Sequence, residues 1–103
     1  MIKLTVTKEH VEEADKRRCK FGFYSICEDC PTAIAAKEQL LPLHTGAKNI
    51  TVSYVNIHMF GYNRDKIVAS YTMSASLATQ VEDWTTYKKF EPGEYELEDN
   101  KNV

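Results

Sequence analysis

Residues 49–73 read NITVSYVNIHMFGYNRDKIVASYTM, and the architecture follows from how this stretch pairs. Residues 49–60 are rich in β-branched and aromatic side chains, which suit a pleated, half-buried surface. Ile50, Val52 and Tyr54 share one parity, whereas Val55, Ile57 and Met59 share the other. A single strand with that pattern needs cover on both faces, or a bulge near Val55 that re-aims the chain. Gly61-Tyr62-Asn63-Arg64-Asp65 then supplies the turn residues of a five-residue hairpin loop. Residues 66–73 return as a strand with Ile67, Ala69, Tyr71 and Met73 on one face. The sheet is therefore expected to be mostly antiparallel.

On the N-terminal side, Ile2, Leu4 and Val6 alternate with Lys3 and Thr5, the period of a half-buried strand. Thr7 is a candidate N-cap for a helix over residues 8–18, with acidic residues in its first turns and Glu12–Lys16 and Glu13–Arg17 at i, i+4 spacing. Residues 19–26 (CKFGFYSI) are aromatic and fit a short strand or a tucked loop. Asp29 or Cys30 caps a firmer helix, Pro31 takes its first position, and Pro42 stops it after Leu41. On the C-terminal side, Ser74 or Ser76 caps a helix reaching about residue 90, with Leu77, Val81 and Trp84 on its apolar face. Residues 94–98 read as a closing strand that could lie beside the first.

The order β-α-α-β-β-α-β defines an α+β fold: a small, mostly antiparallel sheet with two main helices packed on one face. Residues 1–98 are expected to form one domain and 99–103 a frayed polar tail. The chain has 103 residues, 43% of them hydrophobic, and a formal net charge of −2 from 13 Lys+Arg and 15 Asp+Glu. So balanced a charge excludes both a DNA-coating protein and an acidic DNA mimic. No apolar run approaches the ~18 residues of a membrane span, and the alternating start lacks a signal-peptide core. A cytoplasmic protein is the expectation, the host-cell cytoplasm if phage-encoded.

Cys19, Cys27 and Cys30 form an odd set that opposes a disulfide framework in a reducing compartment. Cys27-x-x-Cys30 is one half of a tetrahedral zinc site, and Cys19 could add a third thiolate. The fourth ligand would have to be His10, His44 or His58, none at a stereotyped distance. A redox dithiol at a helix start is a second option, although the βαβ context for it is missing. Three plain thiols, two of them partly buried, make the simplest reading. No metal and no cofactor is expected.

Arg17, Arg18 and Lys20 stand beside Phe21, Phe23 and Tyr24, mixing positive charge with stacking surfaces. The pattern is too incomplete for an RNA-recognition motif, so a long nucleic acid is not expected. A smaller anionic ligand such as a nucleotide fits better. Tyr62, Asn63 and Arg64 offer a partner-binding trio at the hairpin tip, against a simple solvated turn. Trp84, Tyr87 and Phe90 read as core, with a homo-oligomer contact through Tyr87 or Phe90 as the alternative. The acidic clusters (Glu9, Glu12, Glu13, Asp15, and Glu94, Glu96, Glu98, Asp99) look solvated. No glycine-rich phosphate loop, Ser–His–Asp set or zinc-protease helix is present, so an enzyme is not expected.

At Val6-Thr7-Lys8-Glu9-His10, Cys27-Glu28-Asp29-Cys30-Pro31-Thr32-Ala33-Ile34-Ala35 and the acidic-aromatic end Glu91-Pro92-Gly93-Glu94-Tyr95-Glu96-Leu97-Glu98, the chain resembles a loose group of small phage-encoded proteins. Those begin Val-Thr-x-Glu-His and carry Cys-x-x-Cys-Pro-x-Ala-x-Ala at a helix. The aromatic stretch 20–26 and Cys19 depart from that pattern. The resemblance implies a phage accessory protein that blunts a host defence by binding a host protein or a nucleotide signal. It transfers no catalytic residue. The expectation is a non-enzymatic binding protein using Arg17, Arg18, Lys20 and Phe23, or Tyr62 and Arg64 together with a sheet edge; the alternative is a zinc- or thiol-dependent regulator using Cys19, Cys27 and Cys30.

Overall fold

The structure is a computed structural model, and it describes residues 2–17, 30–53, 55–61 and 67–100. Among the described residues, five strands and three helices follow one another as β1 (Ile2–Val6), α1 (Lys8–Arg17), α2 (Pro31–Gln39), a 3-10 turn (Leu41–Leu43), β2 (Asn49–Val52), β3 (Asn56–Phe60), β4 (Ile67–Met73), α3 (Ala75–Tyr87) and β5 (Gly93–Asp99). The fold is α+β with one antiparallel sheet in the order β1-β5-β4-β3-β2.

The change of parity in residues 49–60 marks neither a bulge nor a two-faced strand. It marks a turn: Ser53 N donates to Asn56 O at 2.9 Å, which closes a hairpin between β2 and β3. On either side of it Val52 faces Ile57 and Ile50 faces Met59, so both parities end on the same face of the sheet. A bulge does occur further on, between Met59 and Phe60 where they pair with β4.

One face of the sheet collects the core. Leu4 and Val6, Tyr95 and Leu97, Ala69, Tyr71 and Met73, Ile57 and Met59, and Ile50 and Val52 are all buried on it. Leu77, Val81 and Trp84 of α3 are buried as well, and α3 meets β4 and β5. Because Glu94, Glu96 and Glu98 on the alternate positions are exposed, α3 must lie on the core face. Its start is capped by the Ser74 hydroxyl, which accepts from Leu77 N, and its end by Lys88 in the left-handed region at φ 56.

Helix α2 is largely buried: Thr32, Ala33, Ala35 and Ala36 are inaccessible to solvent, whereas Ile34, Lys37 and Gln39 are half-buried and Glu38 is exposed. It touches both edge strands, β1 and β2, and so sits across the opening of the curled sheet. Gln39 at its end closes the β1 edge directly: Thr5 N donates to Gln39 Oε1 at 2.9 Å, and Gln39 Nε2 donates to Thr5 O at 2.6 Å. Pro42 falls inside the 3-10 turn, three residues past the end of the helix.

Helix α1 packs on α2 through a reciprocal cap. Thr7 Oγ1 accepts from His10 N at 3.3 Å, and His10 Nδ1 accepts from Thr7 N at 2.9 Å. This is the capping-box arrangement with histidine in the usual Glu position. An accepting Nδ1 puts the ring proton on Nε2, which donates to Glu38 of α2 at 3.0 Å. Glu9, hydrogen-bonded to its own backbone N–H and to the Thr7 hydroxyl, has its carboxyl below the ordinary range. At the other end of the chain, β5 runs through Asp99, and Asn100 N donates to Ser70 O at 2.9 Å. Ordered structure thus extends two residues beyond the expected limit at 98. No helix among the described residues is long and apolar enough to cross a membrane.

Candidate functional site

Of the residues expected to bind a partner, the described structure places Arg17 alone. It ends α1, exposed, and its Nε donates to Glu13 at 3.0 Å one turn earlier. That contact is a solvated i, i+4 pair of small energetic value. Arg18, Lys20 and Phe23 lie outside the described residues, as do Tyr62 and Arg64 of the hairpin loop. Cys19 and Cys27 lie outside them too. Cys30 is described: it is 1% exposed and occupies the N-cap of α2 without a side-chain cap bond. The three histidines proposed as a fourth zinc ligand occupy separate places. His10 caps α1, His44 meets Tyr71, and His58 stands on β3 beside Phe60. Among the described residues no group of three His, Cys, Asp or Glu side chains could hold a metal ion.

Docking by a sheet edge also loses support. Thr5 on the β1 edge already has its backbone N–H and C=O satisfied by Gln39. On the β2 edge Ile50 and Val52 are 1% and 0% exposed, so no accessible backbone is offered there.

The face of the sheet turned away from the helices is a different matter. Cross-strand register aligns Thr51, His58 and Ser70 in one row, and Asn56, Thr72 and Glu98 in the next. Thr72 Oγ1 lies 3.3 Å from Asn56 Oδ1 and 3.0 Å from Asn100 Oδ1, and Asn100 Nδ2 donates to Ser70 Oγ at 3.1 Å. The network buries Ser70 and holds the neighbouring amides in fixed orientations. Beside it His58 and Phe60 meet edge to face, with ring centroids 6.2 Å apart. Val68 adds an apolar group that is 41% exposed. On the other half of the same face, Glu94, Glu96 and Glu98 project at every second position of β5 and span about 14 Å. Their only described counter-charge on that face is Lys3, 3.9 Å from Glu94, with both side chains about two-thirds exposed.

This surface combines aromatic groups, fixed hydrogen-bonding side chains and a flank of one charge. Sequence reading placed Glu94, Glu96 and Glu98 as a solvated cluster, named His58 only as a possible zinc ligand and did not single out Phe60. The alternation in 56–60 and 67–73 was the available signal, since it names the outward positions. No family model, curated protein or solved structure matches this chain.

Proposed function

We propose that this is a non-enzymatic binding protein that occupies a host protein through the helix-free face of its sheet, in the manner of a phage accessory inhibitor of host defence. The observation that carries this reading is the Asn56–Thr72–Asn100–Ser70 network beside the His58–Phe60 pair. Side chains already fixed by such contacts lose little further entropy when a partner arrives, so more of the contact energy becomes affinity. Aromatic groups suit the centre of an interface, and Glu94, Glu96 and Glu98 suit one rim of it. Their common sign calls for Lys or Arg on the partner, and long-range attraction of that kind speeds association. The phage and anti-defence parts of the reading rest on the sequence motifs at both ends and at α2.

Capture from a bacterial lysate tests the reading, comparing the wild-type chain with a Glu94→Lys/Glu96→Lys/Glu98→Lys variant. These side chains are exposed, so the fold should tolerate the change. Wild type should retain a partner at low salt that weakens as salt rises, and the variant should lose it. Equal recovery by both proteins would defeat the proposal.

A further inference from the structure

Where β4 runs into α3, the helix-free face of the sheet carries a pocket of about 210 Å³ between β4 and β5. The register explains it. Thr72 pairs with Glu98 and Met73 with Leu97, and Ser74 N donates to Glu96 O at 3.1 Å. The side chains of Met73 and Leu97 are buried on the core face, so on this side the two strands leave a floor of backbone between outward walls. Glu96 and Glu98, about 7 Å apart along β5, make one wall. Thr72 and Ser74 make the other.

The side-chain groups around this pocket are mostly acceptors, and no lining residue is basic. Neither Glu96 nor Glu98 has an ion-pair partner among the described residues; Lys3 pairs with Glu96 in register, but its ammonium lies 3.9 Å from Glu94 instead. Ser74 Oγ accepts from Leu77 N, which fixes the wall on that side. Thr72 Oγ1 has one proton for the two amide oxygens beside it, Asn56 Oδ1 and Asn100 Oδ1. In this arrangement one of those carbonyls is left to accept from outside.

We infer that the pocket holds the guanidinium of an arginine side chain. That this arginine belongs to a protein partner rests on the docking reading above, which the pocket supplies with an anchoring contact. A guanidinium donates along its edges and has no acceptor, so it can bond Glu96 and Glu98 at once while a further N–H turns toward Thr72 and its neighbouring amides. A lysine ammonium brings the same charge as a compact, strongly hydrated point, and it loses more on leaving water. Preference for arginine over lysine therefore separates this pocket from a general attraction of the acidic flank for positive charge.

Nitrogen–proton NMR of the full chain, titrated with acetyl-arginine amide and with acetyl-lysine amide, tests the inference. A probe this small should saturate in the millimolar range. The arginine probe should shift the backbone amides of residues 72–74 and 96–98, and the lysine probe should bind about threefold or more weakly. E96Q/E98Q should abolish saturation by the arginine probe, whereas Glu82→Gln, exposed on α3, should leave it unchanged. Equal affinity for the two probes, saturable shifts confined to other residues, or no saturation of the wild type would overturn the inference. Salt-sensitive capture from a lysate without the arginine-selective response would remove the pocket and leave the docking reading. The selective response without any captured partner would do the reverse.

Discussion

Histidines and tyrosines show at the residue scale how much one contact decides. Sequence alone offered His10 as one of three candidates for a fourth zinc ligand, with no partner visible nearby in the chain. In the fold its two nitrogens are both engaged, one by Thr7 N and one by Glu38. The second partner is 28 residues away in sequence, and no local pattern announces it. Thr7 as the cap was legible, since an N-cap acts within one turn. Tyr71 and Tyr95 carry a prediction at this scale. Burial raises both phenols above their ordinary range, with Asp99 adding to the effect at Tyr71 and Glu91 at Tyr95. The Tyr95 hydroxyl also donates to Glu91 O. A group whose folded value lies above its unfolded value stabilises the fold at pH below the unfolded value, about 10. That contribution disappears as pH rises through the folded value. Urea midpoints should therefore fall from pH 10 upward, and Tyr71→Phe should make the fall shallower. A Tyr71→Phe profile parallel to wild type would remove Tyr71 from the explanation.

At the element scale, the antiparallel hairpins, the capped α3 and the pairing of β5 with β1 were within reach of periodicity and turn chemistry. Residues 49–60 show where that reach ended. Tyr54 and Val55 are β-formers, and the segment contains neither Gly nor Pro. The reversal is made by Ser53 and Asn56, joined by backbone and side-chain hydrogen bonds. Polar residues of this kind can form turns without the usual punctuation. Helix α2 buries Thr32, Ala33, Ala35 and Ala36 completely while Glu38 stays exposed. Small side chains at 33, 35 and 36 suit a helix packed against α1 and both sheet edges. Ala36→Leu should accordingly cost about 1–3 kcal/mol, the range for overpacking a filled core. Chemical denaturation reads this directly. A neutral result would mean that the space around Ala36 is looser than its zero exposure implies.

At the scale of the whole molecule, the distribution of polar groups carries the functional account. Among the described residues the helices lie on one side of the sheet, so the other side keeps its outward row of hydroxyls, amides and two aromatic rings. Acidic groups gather on β5 at that side. That sheet face could not be assembled from sequence, since it joins residues from separated strands. The residues that sequence favoured for binding, apart from Arg17, lie outside the described structure. Composition did convey the coarser point, a chain with enough apolar residues to fold around a core. The most direct measurement of the docking claim uses a photoactivatable phenylalanine analogue at a single position in living bacterial cells. Placed at Glu96 on the open sheet face, it should yield one discrete covalent adduct on irradiation; placed at Thr79, exposed on α3, it should yield none. An adduct from position 79 with none from position 96 would contradict the account.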